Sequence, residues 1–324
     1  MPLRITTFNC ENLFGRYSIL DKPPKREITN YENLLKIPEV VTLQPGRSGK
    51  IKPAAISKEQ RANTAKAILG AQPDLLAVQE VENLTTLRLF NAKYMDSAFD
   101  QIILVDGNDA RGIDVGFLVR KGLQAQILGM RTHCDESIAG GYLPKTNRLD
   151  TKTMSQAIFS RDCLEVDVKI DGAIFTFLVN HFKAQDAKPA TTQKRSRQAA
   201  RVAQLATDAR NAGKYPIVLG DLNIDNRQHD YDNSLDPLLG VPVLSDPFAN
   251  LAAADRWTHF YDSDNKVSRL DYILIDSRLH ADAVEIYRAG LSPECKQYTG
   301  PRIKGVKKGL EASDHCPTTV VLSS

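Results

Sequence analysis

Short apolar runs recur along the chain and predict strands at Ile5–Phe8, Leu75–Glu80, Gln101–Val105, Ile113–Arg120, Ser155–Ser160, Leu164–Ile170 and Ala173–Val179. Further runs do so at Tyr215–Leu219, Arg256–Tyr261, Arg269–Ile275 and Thr318–Leu322. Between them the period changes to that of a helix. Ser57 and Gln60 have capping-box spacing ahead of a helix from Lys58 to Leu69, with Ala62, Ala65, Ile68 and Leu69 on one face. Asn83 can cap a second helix to about Tyr94. A third, Thr191 to Asn211, turns Ala199, Val202, Ala203, Leu205 and Ala206 inward and ends at Gly213; a short one is expected near Ser234 to Leu239. Asp171-Gly172 reads as a hairpin turn, Arg131 to Thr153 as a surface loop, and about 16 to 56 as a polar insertion.

The order of these elements contains a faint repeat. A strand ending in Asn9, a helix, a strand ending in Glu80, and Arg111-Gly-Ile-Asp114 opening an apolar strand form one half. A strand ending in Asn180-His181, a helix, a strand ending in Asp221, and Arg269-Leu-Asp271 opening an apolar strand form the other. Two such halves packed sheet to sheet, helices outside, make a single-domain α/β fold: a four-layer α/β/β/α sandwich with two mixed sheets and one rim of polar strand ends.

Composition narrows the class. With 42% hydrophobic and 25% charged residues, 324 residues can bury a core, which argues against disorder. A net charge of +3 is too small by itself to argue for nucleic acid or an anionic membrane. Five cysteines, at 10, 134, 163, 295 and 316, have neither disulfide-scaffold nor zinc-site spacing, so reduced thiols are expected. The chain enters its first strand with no signal-peptide pattern, and no apolar run approaches the roughly 20 residues of a membrane helix. A cytoplasmic monomer without stable membrane association is the expectation.

The chemistry sits at the strand ends. Asp221 and Asn223 in Gly220-Asp-Leu-Asn share a face, and a carboxylate with an amide there suits a hard metal ion and an attacking water. Phe8-Asn9, Gln79-Glu80, Asn180-His181-Phe-Lys183, Arg269-Leu-Asp271-Tyr-Ile and Ser313-Asp314-His315 complete an ordered set spanning the chain. The set resembles the endonuclease/exonuclease/phosphatase superfamily, and looks closest to its bacterial nuclease-like members.

That resemblance implies hydrolysis of a phosphoester by in-line attack of water, with Mg²⁺ or Mn²⁺ as cofactor and Ca²⁺ as a substitute. It implies that Glu80, Asn9 and Asp314 hold the metal, and that Asp221 deprotonates the water that Asn223 positions. His315 would stabilise the transition state, and His181 would contact a phosphate oxygen or protonate the leaving group. Asn180, Arg161 and Lys183 are candidate phosphate contacts, with solvated charge as the other reading of Arg161 and Lys183. From the repeat, Asp114 is expected to accept a hydrogen bond from His181, and Asp271 from His315; an ion pair of Asp114 with Arg111 or Arg120 is the rival.

His133, His229, His259 and His280 lack such neighbours and read as structural or surface; Trp257 and Tyr298 could stack on a base or simply pack. Basic residues in the insertion, in Lys183–Arg201 and in Cys295–Lys308 lie next to the motif-bearing ends, which suits a polyanion. A nuclease acting on DNA or RNA is the leading expectation. An inositol or lipid phosphatase, a sphingomyelinase-like enzyme and a silent binding module are the alternatives.

Overall fold

The computed structural model describes residues 2–13, 17–20, 44–46, 50–53, 57–109, 111–144, 151–186, 188–225 and 232–323. Most of the expected 16–56 insertion, and His229, lie outside them. In chain order the strands are β1 Leu3–Leu13, β2 Tyr17–Leu20, β3 Gln44–Gly46, β4 Lys50–Pro53, β5 Leu75–Val81, β6 Phe99–Val105, β7 Asp114–Arg120, β8 Ala125–Arg131 and β9 Cys163–Ile170. They continue as β10 Ala173–His181, β11 Tyr215–Asp221, β12 Leu244–Ser245, β13 His259–Tyr261, β14 Lys266–Ser268, β15 Asp271–Asp276, β16 Ala281–Ile286 and β17 Thr318–Leu322. The main helices are α1 Lys58–Ala71, α2 Leu84–Tyr94 and α3 Pro189–Asn211.

Two six-stranded mixed sheets, ordered β16-β17-β1-β5-β7-β6 and β12-β15-β11-β10-β9-β8, pack face to face. Each contains the repeat: β1 runs parallel to β5 and β5 antiparallel to β7, as β10 does to β11 and β11 to β15. The inner layer holds Ile5, Leu75, Ala77, Phe117, Phe177, Val179, Ile217, Leu219 and Ile273, all fully buried. The opposite faces of the same strands meet helices. Phe8, Leu76 and Val78 pack with Ala65 and Ile68 of α1, and Leu178 and Val218 with Ala199, Val202 and Ala206 of α3. Alternation along β11 therefore places Asp221 on the inner face, one step beyond Ile217 and Leu219.

The capping box forms as expected: Gln60 N donates to Ser57 Oγ at 3.1 Å and Ser57 N to Gln60 Oε1 at 3.1 Å. Asn83 caps α2. The five cysteines are free thiols. Among the described residues no helix is long and apolar enough to cross a membrane.

Several expectations are corrected. The 16–56 insertion contributes a small three-stranded sheet, β3-β2-β4, rather than loop alone. Ser155–Ser160 is not a strand; Ala157 makes a single bridge to Ser137. β8 and β16 were not expected, because both are edge strands whose half-exposed faces need no continuous apolar run.

Within the expected surface loop, His133 is buried. Its Nδ1 lies 2.8 Å from Glu136 Oε1 and its Nε2 2.9 Å from Glu165 Oε2, carboxylates also held by Arg201 and Arg131. Burial alone would lower the His133 pKa, but the two carboxylates outweigh it and raise it to about 9. A group with a raised folded pKa adds stability that is fully present below its unfolded value and lost as pH rises through the folded one. His133→Gln is therefore expected to cost on the order of 2–3 kcal/mol near about pH 6, and much less near about pH 10, in urea denaturation. Equal losses at both would contradict a charged His133.

Candidate active site

The polar strand ends converge across the seam between the sheets. Asn9, at the end of the apolar part of β1, donates from Nδ2 to Asp221 Oδ2 of β11 at 3.0 Å, a buried bond joining the two halves. Asp221 Oδ1 accepts the backbone N–H of Asn223 at 2.8 Å, and His181 Nε2 lies 3.5 Å from Oδ2. His315 Nε2 approaches the same oxygen at 3.9 Å, while its Nδ1 bonds Asp271 Oδ2 at 2.8 Å. Asp271 Oδ2 also accepts from Thr258 Oγ1 at 2.7 Å. The expected Asp271–His315 pair is present.

Backbone departures from the strand aim several of these groups. Strict alternation would send Glu80 toward the helix face with Val78, yet Glu80 has φ +61° and the β5–β7 register slips between Val78 and Val81. Its Oε1 lies 3.8 Å from His181 Nε2, and its Oε2 accepts the N–H of Asn12 at 3.0 Å. Glu11, Asn12 and Asn223 also have left-handed backbone, at φ +48°, +61° and +58°. Such conformations cost about 1–3 kcal/mol each and gather at functional sites. Gly220 is required for a different reason. At φ +137°, a Cβ there would stand 1.9 Å from the carbonyl oxygen of Asn180.

Electrostatics divide the site into unlike partners. Burial pushes the Asp221 carboxyl up to about 7; the His315 charge opposes this and Asp271 adds to it. Burial alone would lower His315, but the charges of Asp271 and Asp221 outweigh it and hold its pKa well above the usual imidazole value. His181 moves the other way, held neutral by burial and then by the nearby charges of Arg161, His315 and Arg111.

Two site residues escaped the sequence reading. Glu11 accepts the N–H of Asp314 at 3.0 Å, and burial, then Asp314 and Glu311, push its carboxyl up to about 8. It stands inside Asn9-Cys-Glu-Asn, where its proximity to Asn9 was the available signal. His259, expected to be structural or surface, places Nε2 3.5 Å from Asp314 Oδ2. It comes in on β13, through a bridge to His315 that the sequence does not announce.

Other expectations are corrected. Asp114 does not bond His181. Its Oδ1 accepts the N–H of Gly107 at 2.7 Å, and His181 Nδ1 makes no hydrogen bond among the described residues. Asn180 falls on the strand face opposite His181 and donates to Leu178 O at 2.8 Å, which turns its amide away from Asp221. Arg161 is not a solvated charge: it is buried, donates to Phe182 O at 2.7 Å and lies 3.1 Å from Asp109. Lys183 is half-buried near it, and burial and Arg161 lower its pKa. Burial, then Lys183, Arg161 and Arg197, bring Lys194 down to about 8. In the expected basic loop, Arg302 is spent on the carbonyls of Leu291, Cys295 and Tyr298. Trp257 packs in a small core under Arg288, and Tyr298 bonds Pro301 O; neither stacks outward. Tyr261, half-exposed beside His259 with ring centroids 6.4 Å apart, is the aromatic at the rim.

Asn9, Glu11, Glu80 and Asp314 offer hard oxygens of the type a divalent cation takes, while the three side chains whose ligand atoms gather within 4.8 Å of one another among the described residues are His259, Asp314 and His315. Residues 7–315 match the Endonuclease/Exonuclease/phosphatase family, and the chain belongs to that family, whose members are phosphoesterases generally dependent on a divalent metal ion. No curated protein matches the chain. Similar solved structures include a D. rerio TDP2 complexed with single strand DNA product, at 14% identity and TM-score 0.60, covering 100% of this chain and 99% of that one. The human nocturnin catalytic domain with bound sulfate follows at 16% and 0.59 over 99% and 94%. A mannosyl-6-phosphatase from Bacteroides thetaiotaomicron matches at 15% and 0.57 over 99% and 100%. At these identities the likeness is one of fold.

Asp271→Asn removes the carboxylate charge that does most to hold the proton on His315. It is expected to lower kcat by roughly 10²–10⁴-fold and to move the alkaline limb of the pH–rate profile down. An unmoved limb with an equivalent loss of stability would make Asp271 structural.

Proposed function

We propose that the protein is a divalent-metal-dependent phosphodiesterase acting on nucleic acid, DNA or RNA. The observation that carries this is the buried Asp221, held between Asn9 of the opposite sheet and two imidazoles, His181 of its own sheet and His315 from the segment before β17, with its pKa raised to about 7. A carboxylate tuned to neutrality accepts a proton from an attacking water without being locked in an ion pair. Asn223, whose N–H fixes Asp221 and whose Nδ2 donates to Phe182 O at 3.1 Å, would position that water. Protonated His315 neutralises charge developing on the phosphate, and neutral His181 donates a hydrogen bond to a phosphate oxygen. Glu80, Asn9, Glu11 and Asp314 would hold the ion, Mg²⁺ or Mn²⁺, which when bound offsets phosphate charge and polarises the scissile group.

Arg161, Lys183, Lys194 and Arg197 support a polyanionic substrate. Burial, and then the neighbouring charges of Arg161 and Arg197, lower the proton affinity of Lys183 and Lys194 as a group, and an arriving phosphate chain relieves that crowding. The D. rerio neighbour with a DNA product favours nucleic acid, and the sugar phosphatase of the same fold keeps a small phosphomonoester as the second reading. The enzyme is read as a monomer that works away from membranes.

Plasmid DNA, single-stranded RNA, an inositol polyphosphate, sphingomyelin and a hexose phosphate, each with Mg²⁺ or Mn²⁺, form the deciding panel. Nucleic acid is expected to be cleaved, with loss of turnover in excess chelator and in Glu80→Gln. Lys183→Ala and Lys194→Ala should each flatten the log–log salt dependence of binding by roughly 0.7 to 0.9. Turnover of the hexose phosphate alone would overturn the nuclease reading, and undiminished turnover in chelator would overturn the metal.

A further inference from the structure

Of the large apolar side chains left exposed among the described residues, Tyr261 is the one carried by a strand of the site, and it is 53% exposed. Its neighbours on β13 fix where it points. Phe260 is buried in the small core with Trp257, Leu291 and Cys316, and its N–H donates to Asp314 O at 2.9 Å. Alternation then turns His259 and Tyr261 together to the opposite face, where their rings stack at an interplanar angle of 24°. The turn beyond is braced as well, since Gln297 Nε2 donates to Asn265 O at 2.9 Å. A single exposed aromatic ordinarily needs no explanation. One held on a braced strand at the rim of a reacting centre is a stacking platform, and every nucleobase has a π face to lay on it.

The charges on the two sides of Asp221 are unlike. In its sheet β11 lies between β10 and β15. On the β10 side stand Arg161, just before β9, Lys183, just after β10, and Lys194 of α3, close enough together for Lys183 and Arg161 to lower the proton affinity of Lys194. On the β15 side Thr258 and His315 both bond Asp271, and the β13–β14 hairpin that follows Thr258 carries Tyr261. The turn after it exposes Asp262 and Asp264, the latter 3.5 Å from Lys266, which leaves the turn net negative. A phosphate chain is drawn to the first side and repelled from the second, so at the hairpin a bound strand presents a base.

We propose, resting on the nucleic-acid reading above, that Tyr261 is a base-stacking subsite through which the enzyme selects unpaired nucleic acid over duplex. The strand crosses Asp221 with its phosphates toward Arg161, Lys183 and Lys194 and one unpaired base on the Tyr261 ring. In a duplex no base is free to turn onto that ring, and the second backbone meets Asp262 and Asp264.

Steady-state cleavage with Mg²⁺ tests this on one oligonucleotide sequence, in DNA and in RNA, as a single strand, as a duplex, and as a strand of the same length built of abasic residues. The native protein is expected to cleave the single strand with a kcat/KM about tenfold or more above that for the duplex. Tyr261→Ala, melting cooperatively, should raise KM for the single strand about tenfold with kcat nearly unchanged, and Tyr261→Phe should keep the native KM. On the abasic strand the native protein and Tyr261→Ala should agree. An unchanged KM in Tyr261→Ala, an equal loss on the abasic strand, or a native preference for duplex would overturn the subsite and leave the nuclease reading in place. Cleavage of no nucleic acid by the native protein would overturn both.

Discussion

The hydrogen bond from Asn9 to Asp221 crosses the seam between the two sheets, and much of the site depends on it. It ties a buried carboxylate of one half to a buried amide of the other, where water is excluded and each group needs its partner. Its position follows from the inner layer of Ile5, Val179, Ile217 and Leu219, which sets the spacing of the sheets and thus of their ends. Apolar packing in this way becomes chemistry: the same strand faces that bury hydrocarbon in the middle present polar atoms at one rim.

Around that bond the site is differentiated by environment more than by residue type. His181 and His315 both stand within 4 Å of Asp221, yet one is kept neutral and the other charged. The difference is Asp271, which His315 has and His181 lacks. The internal repeat is faithful in backbone and broken in this detail: Asp114, the counterpart of Asp271, is turned to Gly107 instead. One half brings Asn9, Glu11 and Glu80 to the rim, and the other brings His181, Asp221 and Asp271.

The strand ends, the capping box at Ser57, the Asp171-Gly172 hairpin and the pairing of the repeats were legible because each has a local signature of period or turn chemistry. Edge strands β8 and β16 were not, since half-solvated edges carry little alternation. Glu80 was singled out by its motif and stands beside His181, but the left-handed turn that delivers it there has no sequence mark. His259 was hidden for the opposite reason: it has no motif, and a pairing between distant segments brings it beside Asp314. Asp114 shows that matching positions in a repeat predict backbone better than side-chain partners.

The central claim is that Asp271 and Asp221 keep a proton on His315 while His181 stays neutral beside the same carboxylate. Nitrogen NMR of histidine-labelled protein without added metal reads both rings directly. The account predicts that at about pH 7.5, a unit above the free imidazole pKa of about 6.5, both nitrogens of His315 are protonated and only one of His181 is. A neutral His315, or a protonated His181, at that pH would contradict it.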